Sequence, residues 1–160
     1  MALLGASRTN IKRSLDNYFK DNITSAAGIT TDFEGVPFDE KNISEWVAPR
    51  IIDFISDFSR QGSSTQYADN LDIIFSVNIF VKKGSMTRSG RKYAIRDIIT
   101  KYFKINKEIY IYDYSGDGST NVGSMKVREI ITDMSLPDTT ELYSYSLTFV
   151  INTTALTTNP

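Results

Sequence analysis

The 160-residue chain contains neither cysteine nor histidine. Disulfides, a thiolate nucleophile, Cys/His zinc sites and a Ser-His-Asp triad are thereby excluded, and with them most common routes to hydrolysis. Excess charge of one sign is also missing. Its 18 Lys and Arg against 19 Asp and Glu leave −1, so no overall field draws the chain to nucleic acid or an anionic membrane, and any such contact is local. No stretch reaches the roughly 18 uninterrupted apolar residues of a membrane span. The opening run Met1-Ala2-Leu3-Leu4-Gly5-Ala6 is short and followed at once by Arg8, Lys12 and Arg13, which is not the pattern of a signal peptide. The sequence reads as a soluble chain made in the cytoplasm, and its lack of cysteine fits a reducing compartment.

Aromatic residues, by contrast, are plentiful: nine Phe, nine Tyr and one Trp. Tyrosine as common as phenylalanine suits sheets whose outer faces meet partners. At about 150 residues per domain the length gives a single domain, expected over residues 1–152 and followed by an extended arm over 153–160, which is Thr-rich and without periodicity.

Ile11, Leu15, Tyr18, Phe19 and Asn22 recur at helical spacing, which predicts an amphipathic helix over 9–23 capped by Thr9 or Asn10. Residues 28–38, with Phe33, Gly35, Pro37 and Phe38, read as a strand or loop turning onto a sheet. Residues 45–58 fit either a helix or a long strand. Trp46, Ile52, Phe54 and Phe58 share strand parity, which favours a strand with Pro49 at an edge or bulge, since proline cannot donate to a ladder. A polar loop over 61–66 leads to a half-buried strand bearing Ile73, Phe75, Val77, Ile79 and Val81 on one face. A second helix follows, with Arg91, Ala94, Ile95, Ile98 and Tyr102 on one side and Lys92, Tyr93, Arg96 and Asp97 away from it. Three more strands are expected over 108–114, 125–134 and 142–152, the last with Tyr143, Tyr145, Leu147, Phe149 and Ile151 on one face. This order predicts an α+β fold: a single antiparallel or mixed β-sheet with two α-helices packed on one face.

Three patterns carry candidate chemistry. Asp113, Ser115 and Asp117 before Gly118 begin as an EF-hand calcium loop does, but the twelfth position is Ser124 rather than a bidentate glutamate, and the flanks read as strands. A mobile, solvated hairpin loop is expected. Asp53 and Asp57 point the same way on a strand, a conceivable Mg²⁺ pair whose plainer reading is charge on a solvent or subunit face. Arg88, Arg91, Lys92, Arg96, Lys101 and Lys104 gather in and after the second helix, available to phosphates, an acidic neighbour or water. Stacking aromatics are missing there except Tyr93, which argues against specific single-strand binding. The tyrosines at 110, 112, 114, 143 and 145 supply ring surface suited to interfaces with one dry and one wet end.

The succession of an N-terminal helix, Phe33-Glu34-Gly35-Val36-Pro37-Phe38, a strand led by Trp46, the apolar Ile73–Val81 strand, the helix over 85–103 and a final strand pair resembles the tail terminator (tail completion) proteins of long-tailed bacteriophages. The resemblance is one of pattern and length and spans roughly residues 9–152, with the excursion 105–140 as a departure. It implies a non-enzymatic structural protein of the virion, assembled in the host cytoplasm. Such a protein forms a ring, hexameric in that family, which ends the tail tube and joins it to the head. The implied partners are further copies of the chain, the tail tube and neck or connector proteins, with DNA passing non-specifically through the lumen; no cofactor, metal or membrane is implied. Tyr110, Tyr112, Tyr143, Tyr145 and Thr153 are the interface candidates, and Arg88, Lys92 and Arg96 the candidates to face the lumen or a partner. The competing readings are another neck or tail-tube ring protein, a calcium-binding module at 113–119, or a small metal-dependent hydrolase using Asp53, Asp57, Asp113 or Asp117.

Overall fold

The computed structural model describes residues 7–62, 66–84 and 86–158. In chain order it contains helix α1 (Arg8–Phe19), strands β1 (Glu45–Gly62) and β2 (Gln66–Lys82), helix α2 (Arg91–Tyr102), and strands β3 (Glu108–Tyr112), β4 (Asn121–Leu136) and β5 (Leu142–Thr158). All paired strands run antiparallel in one sheet of order β1-β2-β5-β4-β3. Residues of both helices share one core with the same face of that sheet. The α+β architecture is as expected, with the mixed-sheet option settled as antiparallel.

Helix α1 forms because Ile11, Leu15 and Phe19 fall on one side, and a π-helical continuation over Lys20–Ala26 adds Ile23; all four are fully buried. Its cap is Ser7, whose hydroxyl accepts from the Asn10 amide at 3.2 Å, and not Thr9 or Asn10. Asn10 is itself buried and committed to the sheet edge described below. The core centres on four phenylalanines: Phe75 and Phe149 from the sheet, Phe19 from α1, and Phe103 just after α2. Phe103 lies 5.4 Å from Phe75 and 5.3 Å from Phe149 between ring centroids. Aromatic pairs at such distances add about 0.5–1.5 kcal/mol beyond their buried area.

A 3-10 turn over Met86–Gly90 leads into α2, which buries Ile95 and Ile99 and half-buries Ile98 and Tyr102. Ala94, expected on the packed side, is exposed, and Lys92, expected away from it, is buried at 5% relative exposure. Long lysine stems tolerate this when the ammonium finds partners. Here the Lys92 ammonium donates to Ser135 Oγ at 2.6 Å and lies 5.3 Å and 5.7 Å from the Tyr93 and Tyr143 ring centroids.

Bulges decide which side chains the sheet buries. Val47, Pro49 and Ile51 oppose Ile79, Val77 and Phe75, then the register shifts at Ile52, so that Phe54 opposes Ile73 on the core face. Trp46 therefore lies on the other face, where it stacks on Phe80, while Ile52 is 63% exposed; the single parity expected for Trp46, Ile52 and Phe54 is broken at the bulge. Two further shifts in β4, at Arg128 and Ile131, put Ile130 opposite Phe149 and then cancel, so that Asp133 and Ser135 share the face of Met125 and Val127, opposite Leu147 and Tyr145. Of residues 28–38 only Thr31 joins the sheet, by an isolated parallel bridge to Val47.

The expected arm corrects differently. Residues 153–158 are extended, but they are the end of β5, paired with β2 from Thr153↔Leu71 to Thr158↔Gln66. Backbone pairing to β2 on one side uses hydrogen-bonding groups that a free arm would leave to water.

Candidate interaction surfaces

Both edges of the sheet are partly closed, each by a different device. On β1, the backbone of Val47 accepts from the Asp32 amide at 2.8 Å and donates to the Thr30 carbonyl at 3.0 Å. Pro49, two residues on, has no amide to offer. Past the bulge, the Phe54 amide is taken by the Asp53 carboxylate at 2.8 Å. Bulge, proline and inward-turned charge are familiar protections of an edge strand. Asp53 thus serves the backbone of its own strand; the side chain of Asp57 lies outside the described residues. On β3, α1 supplies the cover: the Tyr112 amide donates to Ser14 Oγ at 2.9 Å and the Tyr114 amide to Asn10 Oδ1 at 3.0 Å.

At one end the sheet runs past this closed body. Leu71 and Thr153 face each other across the β2/β5 pair, and both are buried. Beyond them β1 continues over 57–62, β2 over 66–70 and β5 over 154–158, whereas the partnership of β4 with β5 stops at Met125↔Thr153. The extension is three strands wide, β1-β2-β5, and about 15–17 Å long at the usual rise per residue. Its composition is mostly Ser, Thr, Gln, Asn and Asp, with Phe58, Tyr67 and Leu156 its only large apolar or aromatic members. Small sheets need an apolar face packed on something to be stable.

The loop 113–120 is fastened, not loose. Asp113 Oδ1 accepts from the amide and hydroxyl of Ser115 at 2.9 and 2.7 Å, and Asp117 Oδ1 from the amide and hydroxyl of Ser119 at 3.0 and 2.6 Å. These bonds hold both carboxyls below the usual carboxylate range. The Tyr114 ring sits under the Arg13 guanidinium at 5.4 Å, and its hydroxyl accepts from Asn17 Nδ2 at 2.7 Å. These contacts join the hairpin to α1. Among the described residues no three acidic side chains converge as a metal site would require.

Arg88 and the α2 residues Arg91, Lys92 and Arg96 each have partners within the fold. Arg88 donates to the carbonyls of Lys82 at 2.9 Å and Ser44 at 3.0 Å. Arg91 pairs with Glu45 at 2.8 Å. Arg96 grips Asp133 with both arms of its guanidinium, Nε donating to Oδ1 at 3.0 Å and Nη2 to Oδ2, while the Tyr145 hydroxyl donates to the same carboxylate. The Arg96 fork holds the Asp133 carboxyl below its ordinary value. Burial first, then the Asp133 carboxylate, pushes the Tyr145 phenol up. Sequence reasoning missed Asp133, because a lone carboxylate in a strand carries no sign that Arg96 and Tyr145 meet it from a helix and another strand.

The five interface candidates separate in the same way. Tyr110 is 52% exposed on β3. Tyr112 and Tyr143 are half-buried, the latter beneath the Lys83 ammonium at 5.1 Å. Tyr145 and Thr153 are buried, and Thr153 Oγ1 donates to the Ser124 carbonyl at 2.7 Å within the sheet.

No family model matches the chain, and neither does any curated protein. Solved structures do match. One, of a protein whose name carries no functional information, superposes with a TM-score of 0.60 at 15% identity, covering 98% of this chain and 99% of its own. At that identity the similarity is one of fold, and it extends over the whole chain.

Proposed function

We propose that this chain is a structural protein that assembles head to tail into a ring, and that the ring is the tail terminator of a phage-like tail, joining tail tube to neck in the virion. The observation that carries the reading is the three-stranded extension. It presents two different edges that no described residue pairs, β1 over 57–62 and β5 over 154–158, on a sheet whose body edges are partly closed. Unlike edges meeting between copies form a heterologous contact, and heterologous contacts close into rings when the rotation allows. An extension whose sequence is mostly polar gains its stability from a neighbour by main-chain pairing. The resemblance of element order to tail terminators supports the particular ring. Its partners on this reading are further copies of the chain, the tube and neck proteins.

The test is to offer the purified chain to tail tubes that lack their terminator. Rings seated on tube ends in negative-stain images support the reading, and tubes left bare and still elongating contradict it.

A further inference from the structure

A cleft of about 470 Å³ lies between α1 with its π-helical continuation and the outer edge of β3. The β3 backbone alternates between two directions. Pairing of Ile109 with Met125 and of Ile111 with Gly123, together with the 3.0 Å bond from the Val127 amide to the Lys107 carbonyl, turns the odd-numbered residues toward β4. Glu108, Tyr110 and Tyr112 therefore direct their amides and carbonyls outward. Ser14 takes the Tyr112 amide, and there the helix closes the edge. Along the strand toward Glu108 the helix side recedes into Asn17 and Asp21, and the outward groups of Tyr110 have no partner among the described residues. Asp21 and Glu108, both exposed, border the same cleft beside the one cation there, Lys107, and make no ion pair among the described residues.

We infer that this cleft binds an extended segment of another polypeptide, added as a strand to β3 and carrying a lysine or arginine beside its pairing residues. A row of backbone donors and acceptors repeating every two residues is complementary to another strand and to little else. The stop at Ser14 limits the added strand to the Glu108–Tyr110 stretch. The two carboxylates at the rim set the preference for a basic side chain, and the exposed Tyr110 ring offers the flat apolar surface beside it. The inference does not depend on ring formation, because the site lies on the opposite side of the sheet order from β1.

Hydrogen exchange read by mass spectrometry over 106–112, with and without the probe acetyl-Val-Lys-Val-Lys-Val-amide, tests it on the full chain in whatever assembly state it adopts. The expected result is about tenfold slower exchange at Glu108 and Tyr110, as an amide newly held in a ladder shows. Three variants complete the expectation. Tyr110→Pro, which removes an outward amide together with the ring beside it, abolishes the slowing at Glu108, while Tyr110→Ala, which keeps the amide, retains it in part. Asp21→Arg, at an exposed position whose change leaves folding intact, weakens the lysine probe about tenfold and shifts preference to acetyl-Val-Glu-Val-Glu-Val-amide. No protection at about 1 mM probe, protection that survives Tyr110→Pro, or indifference to Asp21→Arg overturns it. So does protection of these amides that rises with protein concentration in the absence of probe, which would make a second copy the occupant.

Discussion

Gly118 adopts φ +76°, and a Cβ built there would lie 2.7 Å from the Tyr114 ring, the ring that fastens the loop to α1. Gly118→Ala is therefore expected to cost about 1–3 kcal/mol in urea melts, combining left-handed strain with a displaced tyrosine. Gly116→Ala, with open space around its Cβ, is expected to stay within about 0.5 kcal/mol. The Arg96–Asp133–Tyr145 group makes a pH statement. Asp133 has a depressed folded value, so its contribution is present above the ordinary carboxylate pKa and is lost as pH falls through the lowered one. Tyr145 has a raised value, so its contribution holds below the ordinary phenol pKa and is lost as pH rises through the raised one. Tyr18 behaves alike: burial first and Tyr102 second push it up to about 12, with its hydroxyl donating to the Tyr102 carbonyl at 2.6 Å. Asp133→Asn should flatten the acid limb of a stability-against-pH profile and leave the alkaline limb sloping. An unchanged acid limb would show that Asp133 is not among the groups that set it.

At the scale of elements, α2 is the sharpest check on packing. Ile99→Ala should cost about 2–5 kcal/mol by opening a cavity. Lys92→Ala should cost about 1–3 kcal/mol, since it strips the stem from Tyr143 and the donor from Ser135. A change at exposed Lys101 should stay within about 0.5 kcal/mol in the same denaturant melts. Equal losses at Lys92 and Lys101 would contradict the observed helix phase. The sequence made the element order legible because Ile11, Leu15 and Phe19 repeat at helical spacing and Ile73 to Val81 at strand spacing, and both patterns survive folding. Periodicity carries no mark of a bulge, so the shifts at Ile52, Arg128 and Ile131, and with them the opposite sides of Trp46 and Phe54 and the inward side of Ile130, were not readable. The face of α2 was misread for a related reason: a lysine scores as polar whether its stem is buried or not. Of the interaction surfaces, the long strands were legible. The extension was not, because residues 153–158 have no alternation and belong to the sheet only through their pairing with β2.

For the whole molecule the account joins a closed body to an open end. The partial closure of the body edges leaves the extension as the place where copies meet, since β1 and β5 each present there a side that no described residue pairs. The most direct measurement is the solution mass of the full chain and of a variant lacking residues 154–160, by light scattering across a dilution series, with circular dichroism and melting to confirm that the helix-covered body is folded in both. The account predicts a closed oligomer of several 18.0 kDa subunits for the full chain and a folded monomer for the shortened one. A full chain that stays monomeric at every concentration and in the presence of tail tubes, or a shortened chain that assembles as well as the full one, would contradict it.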